Sequence, residues 1–143
     1  AELRGTAVTA TGACDFSMFS SAFADVSALR LNCSSGESVS VSWVPHLANS
    51  TWASRCPGYV YNPPPVTTES TIADAAVQTT EQKHLSDTSH ATAVAQQAQA
   101  DGSTLFLITV ANVSHNAVAQ ATLAITKALQ TGLLPLSSEH RAG

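Results

Sequence analysis

Charged residues are scarce in this sequence. Only 11% of its 143 residues are Asp, Glu, Lys or Arg, whereas about 25% is usual in soluble domains. The six basic residues stand singly along the chain, so they form none of the clusters with which proteins bind nucleic-acid phosphates or anionic membranes. We therefore expect no nucleic-acid partner.

Long apolar runs and catalytic signatures are missing as well. No segment approaches the roughly 20 apolar residues of a membrane-spanning helix, so we expect no membrane span. The sequence has no GxSxG turn, no glycine-rich phosphate loop and no HExxH pair. We accordingly expect no catalytic residues, cofactor or metal. The sequence favours a non-enzymatic protein and leaves enzymatic activity open.

Small residues replace the missing charges. Alanine, serine and threonine together supply 58 of the 143 residues, and the formal net charge is only −4. A surface built from hydroxyl and methyl groups provides little electrostatic repulsion between copies of the chain. Association with copies of itself, or with another protein, is the expected kind of partnership.

Three cysteines constrain the compartment. Cys14, Cys33 and Cys56 include no CxxC pair, which argues against a zinc knuckle or a thioredoxin-type motif. One disulfide plus one unpaired cysteine is the simplest interpretation in an oxidising compartment. The spacing does not decide which two of them pair.

Three N-glycosylation sequons support the same compartment. Each consists of Asn, a residue other than Pro, and Ser or Thr; the acceptors are Asn32, Asn49 and Asn112. Together with the cysteines they predict a secreted or cell-surface glycoprotein.

The first part of the chain has the patterns of β-strands. Residues 5–12 begin and end with glycine, and apolar and polar residues alternate weakly between them. This pattern predicts a strand of small side chains, suited to a sheet edge. Residues 28–33 and 38–44 both alternate with a period of two. The glycine-containing turn between them predicts an antiparallel hairpin.

Residues 45–69 break the alternation. They contain all but one of the six prolines and predict a long irregular connector. Aromatic side chains here could form a binding loop, since they combine a large contact area with a polar tip; packing in the core is the competing interpretation. The residues of this possible loop are His46, Trp52, Tyr59 and Tyr61.

The second part of the chain favours helices around one strand. Residues 71–85 and 90–100, with Ser70 and Ser89 as possible N-caps, predict two helices or one broken helix. Residues 104–110 form an apolar run that predicts a central strand buried on both faces. After it, apolar residues recur at 3.6-residue spacing and predict an amphipathic helix near 114–131.

This last helix has recognisable ends. Ser114 or Asn112 is the expected N-cap, and Gly132 lies where a C-terminal glycine belongs. The whole chain, residues 1–143, is expected to form a single α+β domain. In that domain a mostly antiparallel sheet is covered on one face by two or three helices.

One group of residues could hold a metal. Glu81, His84, Asp87 and His90 recur every three residues, and three of them could share one face of a helix. Helical metal pairs normally use a spacing of four, so solvated helix surface is the favoured interpretation.

These observations lead to three functional hypotheses. The first is a non-enzymatic structural or adhesive subunit, possibly one that assembles with its own copies into a fibre or coat. The alternative is a ligand- or receptor-binding ectodomain that uses the aromatic loop. A metal-dependent enzyme is the least favoured.

Overall fold

The protein folds as one antiparallel sheet with a helix on one side. The computed structural model describes residues 2–21, 25–34, 36–37, 39, 41, 43–45, 55–113 and 116–132. Its elements are β1 (Glu2–Val8), β2 (Ala13–Ser21), β3 (Val26–Cys33), β4 (Val66–Ile72), β5 (Ala75–Lys83), β6 (Ser89–Ala98), β7 (Thr104–Val113) and α1 (Ala117–Thr131).

The seven strands follow the order β1-β2-β3-β7-β6-β5-β4. All six neighbouring pairs are antiparallel. The sheet thus consists of two meanders, β1 to β3 and β4 to β7, which are joined where β3 pairs with β7. The expected central strand is confirmed, because β7 is the fourth of seven and buries Leu105, Phe106 and Leu107.

The expected covering of two or three helices is wrong. Residues 71–85 and 90–100 form the end of β4, all of β5 and most of β6, and α1 is the single helix of eight or more residues in the described part of the chain. In β5 and β6 the residues that face α1 alternate, with Val77 opposite Ala95 and Ala95 opposite Leu107. Burial of this alternating face outweighs the intrinsic helix preference of alanine.

The turns between these strands explain why they were not recognised. Ala73 and Asp74, with φ of 48° and 63°, form a two-residue hairpin turn between β4 and β5. Such turns usually contain Asn-Gly or Asp-Gly, because both residues must have positive φ. The sequence lacks that signal here, and Asp101-Gly102 lies in the turn between β6 and β7.

One of the two strands of the predicted hairpin is present in the structure, and the other is not. Residues 28–33 lie in β3, but its neighbours in the sheet are β2 and β7. None of the described residues in 38–44 belongs to a strand, and Val41 and Trp43 are exposed there. Strand β2 was missed, although Cys14, Phe16 and Met18 alternate with polar residues.

The weak strand expected over 5–12 exists as β1, shifted toward the N-terminus. It lies at one edge of the sheet, as its small side chains indicated. Gly5 is needed there because a β-carbon at this position would come within 2.6 Å of the Phe16 ring on β2.

Helix α1 packs mainly over β6 and β7, with β3 and β5 at its sides. The residues that it buries completely or almost so are Ala117, Ala121, Ile125 and Ala128. Its N-cap is Asn116, in the left-handed conformation and without a side-chain cap, so the expectation of Ser114 or Asn112 is wrong. Gly132 is the C-cap, and its N–H donates to the Ala128 carbonyl.

The proline-rich connector expected over 45–69 ends earlier than predicted. Its last residues, from Val66 onward, are already in β4, and residues 46–54 lie outside the described part. Proline has no N–H to donate to a neighbouring strand. The position of β4 at the edge of the sheet, directly after Pro65, is consistent with this limit.

The small residues between α1 and the sheet make this interface sensitive to enlargement. Ala121 has no exposed surface, and extra methylenes in a packed core cost about 1–3 kcal/mol. We expect Ala121→Leu to lower the free energy of unfolding by that amount in urea denaturation. Ala119→Leu, on the exposed side of the same helix, should change it by less than about 0.5 kcal/mol. Equal effects of the two variants would contradict this packing.

Candidate functional site

The two outer strands of the sheet are the most exposed regular elements of the protein. In β1 every residue except Gly5 is exposed, and in β4 every residue except Ile72. Neither strand pairs along its outer edge with any strand of the described residues. Each therefore presents a row of backbone N–H and C=O groups to its surroundings.

These edges carry little of the charge that usually prevents edge-to-edge association. In β1 the guanidinium of Arg4 pairs with Glu2 at 2.7 Å, so the two charges neutralise each other. Strand β4 contains one charged residue, Glu69. Natural edge strands are commonly protected by unpaired lysines or by proline within the strand, and neither strand contains one.

The strand beside β1 is covalently linked to the next strand of the sheet. Cys14 and Cys33 lie directly opposite each other on β2 and β3, with 4.0 Å between their Cα atoms, and form a disulfide. The predicted disulfide is thus present, and the thiol of Cys56 is exposed and free. Strand β1 itself contains no cysteine and is joined to β2 by backbone pairing.

The turn after β1 is tied to the loop after β3. The hydroxyls of Thr9 and Thr11 both donate to Glu37 Oε1. These two bonds lower the pKa of the Glu37 carboxyl, and the bond from Thr11 has the larger effect. A β-carbon at Gly12 would meet Ser34 Oγ at 2.2 Å, so the Ser34 side chain, which accepts a hydrogen bond from the Ala13 N–H, would have to move.

The group Glu81, His84, Asp87 and His90 is only partly brought together. Because this segment is a hairpin and not a helix, His84, which directly follows β5, meets His90 on β6, with 2.9 Å between Nε2 and Nδ1. Glu81, His84 and Asp87 border one groove, and His90 does not line it. Within the described residues no three His, Cys, Asp or Glu side chains are placed to hold a metal together.

A buried glutamine lies beside the histidine pair. Gln82 is opposite His90 in the β5–β6 register and is only 2% exposed. Its amide nitrogen donates to the carbonyls of Pro63 and Lys83, at 2.7 and 2.8 Å. Its Oε1 is the one buried side-chain polar atom without a hydrogen bond in the part of the chain that the structure describes. Sequence analysis missed this residue, since its hydrogen-bond partner Pro63 is distant in the sequence.

The possible aromatic loop is described only in its second half. Tyr59 and Tyr61 meet edge to face, with 5.1 Å between ring centroids. Tyr59 is half-buried, whereas 54% of Tyr61 is exposed. His46 and Trp52 lie outside the described residues. The residues that line a groove of about 570 Å³ include Val41, Trp43 and Phe106 but neither tyrosine.

Two of the three sequon asparagines lie on central strands of the described structure. Asn32 is exposed on β3 and Asn112 is exposed at the end of β7, while Asn49 is outside the described residues. Glycans on Asn32 and Asn112 would project from the middle of the sheet and not from β1 or β4.

A polar network ties β3 to the turn between β6 and β7. Asp101 accepts hydrogen bonds from the backbone and hydroxyl of Ser103, at 3.0 and 2.6 Å, and from the guanidinium of Arg30. The bonds from Ser103, and then the charge of Arg30, lower the pKa of the Asp101 carboxyl.

Comparison of the sequence with protein families and with curated proteins finds no relative of this chain. No protein-family model matches the sequence, and no curated protein is significantly similar to it. Among the described residues, no helix is long and apolar enough to cross a membrane.

The Asp101 network predicts a dependence of stability on pH. A carboxyl whose pKa is lowered by folding stabilises the fold above its ordinary pKa of about 4, and this contribution is lost as the pH falls through the lowered value. We expect Asp101→Asn to lower the urea midpoint at neutral pH, and the difference from wild type to shrink toward pH ~2. Glu69→Gln, which removes an exposed carboxylate from β4, is the control. A difference for Asp101→Asn that does not change with pH would contradict the role of its charge.

Proposed function

We propose that this chain is a non-enzymatic structural or adhesive subunit, a secreted or cell-surface glycoprotein that assembles with its own copies through the edges of its sheet. The supporting observation is the pair of exposed edge strands, β1 and β4, each seven residues long. Pairing with a further strand would satisfy their outer backbone groups, the means by which proteins join sheets between chains.

The composition of the chain supports this proposal. Long, nearly uncharged edges favour association, and selection normally removes them from monomeric proteins. Here the edges combine with an overall charged fraction of 11%, so few like charges oppose the approach of a second copy.

Strand directions indicate how the copies would pair. Seven alternating strands place β1 and β4 parallel to each other. If the helices stay on one side of an extended sheet, β1 beside the β4 of a neighbour forms a parallel pair.

Antiparallel pairs, which are somewhat more stable, arise when β1 meets β1 or β4 meets β4 about a two-fold axis. Two-fold contacts are also the commonest in homo-oligomers. Alternation of the two contacts would produce a continuous fibre.

The disulfide and the sequons support the extracellular part of the proposal. Disulfides persist in oxidising compartments, and Asn32 and Asn112 are exposed on β3 and β7. Glycans on these central strands would leave both outer edges free for pairing.

Edge variants test the proposed arrangement. Leu3 on β1 is 60% exposed and Val66 on β4 is 58% exposed, and a lysine at an edge disfavours pairing. We expect Leu3→Lys or Val66→Lys alone to stop assembly at the dimer, and the double variant to be monomeric. The measurement is size-exclusion chromatography with light scattering over a concentration series of the secreted protein.

A matched control separates pairing from general solubility. Leu123→Lys makes the same change on α1, at a residue that is 53% exposed, and should assemble like the wild type. A wild-type protein that stays monomeric at high concentration would contradict self-assembly. A monomeric single-edge variant would instead contradict the two-fold arrangement, because only a β1-to-β4 contact is lost by blocking either edge.

Ligand binding through the aromatic loop is the second candidate, and the exposed ring of Tyr61 packed on Tyr59 favours it. Such paired rings suit the apolar faces of sugars. We expect a glycan array to show binding that is lost in the Tyr59→Ala, Tyr61→Ala double variant. A folded double variant that binds the same glycans, or a wild type that binds none, would contradict this candidate.

A further inference from the structure

The contact between His84, which directly follows β5, and His90 on β6 brings two metal-binding side chains together. The His84 N–H donates to the Thr88 carbonyl, and His90 pairs with Gln82, so the two histidines are diagonal neighbours on the same face of the hairpin. Their ring centroids are 5.0 Å apart and the ring planes are tilted by 39°. Residues 85–87 form the turn between His84 and Thr88 that brings the two rings together.

The spacing of the ring nitrogens suits a shared metal ion. Metal–imidazole bonds of about 2.0–2.1 Å place two adjacent ligand nitrogens about 2.9 Å apart at a right angle and about 3.3 Å apart in a tetrahedron. Nε2 of His84 and Nδ1 of His90 are 2.9 Å apart. The two nitrogens now share a hydrogen bond, so each ring must turn toward a common point, but their separation hardly has to change.

The tautomers of the pair decide whether both facing nitrogens can bind a metal, since imidazole binds metals through the lone pair of a neutral ring. In the hydrogen bond, one of the two facing nitrogens carries the ring hydrogen. Moving that hydrogen to the far nitrogen of the same ring, so that the hydrogens lie on His84 Nδ1 and His90 Nε2, leaves lone pairs on both facing nitrogens.

A third polar group on this face lacks a partner. Gln82 lies beside His90, is almost completely buried, and its Oε1 makes no hydrogen bond within the described residues. An unsatisfied buried oxygen is unfavourable, and a bound ion or its water ligand beside the histidines would supply the missing interaction.

We propose that His84 and His90 form a binding site for a late first-row divalent metal ion, with copper(II) bound most strongly. Two imidazoles and water or amide oxygens form the nitrogen–oxygen ligand set that suits copper(II), and copper lies at the top of the affinity order for such sites. This site is independent of the sheet edges, so its presence or absence does not affect the proposed assembly.

Copper titration of the full chain tests the proposal. We expect one equivalent of Cu²⁺ to give an electron paramagnetic resonance spectrum with nitrogen hyperfine structure, and calorimetry to give one site per chain. His84→Gln and His90→Gln should each weaken binding by about tenfold or more, by analogy with the loss of groups that support a metal site. Circular dichroism establishes that both variants fold.

The control removes a histidine elsewhere in the chain. His140→Gln should leave the affinity and the spectrum unchanged. Wild-type protein that binds no copper, folded variants of the pair that bind as tightly as wild type, or loss of the site in His140→Gln would each overturn the assignment.

Discussion

The fold depends on the close packing of α1 against the sheet. Alanine methyl groups face each other across this layer, from Ala121 and Ala128 on the helix and from Ala93 and Ala95 on β6. Small side chains let the two backbones approach closely but bury little apolar area per residue, so stability depends on the fit. Ile125, Leu105 and Leu107 supply most of the remaining volume.

The same alanines limited what the sequence could predict. Alanine is the best helix former, and in β6 the residues between the buried alanines include Thr92 and Val94, which are not clearly polar. The period of two is therefore present in the structure but weak in the sequence. Strand β7 was predictable because its large apolar residues form a continuous run. Helix α1 was predictable because its apolar residues recur at 3.6-residue spacing.

The candidate sites were predictable to different degrees. A disulfide followed from three cysteines, but the pairing of Cys14 with Cys33 depends on the register of β2 and β3. His84 and His90 were grouped on the assumption of a helix, and they meet because the segment is a hairpin. Gln82 gave no signal, since its side-chain amide donates to the carbonyl of Pro63, 19 residues away.

Helix α1 does not cover the outer strands β1 and β4, so other contacts hold them in the sheet. These contacts link the fold to the proposed assembly. Strand β1 is held by its pairing with β2, by the packing of Phe16 on Gly5, and by the Thr9 and Thr11 bonds to Glu37 in the turn that follows it. Strand β4 is held by backbone pairing and by a hydroxyl contact between Thr67 and Thr80 at 3.0 Å. Both edges are therefore ordered before any partner arrives, and a preorganised strand loses less conformational entropy on pairing than a flexible one. Since the chain contains so few charges to oppose a second copy, the composition that permits the close packing of α1 also favours association at the edges.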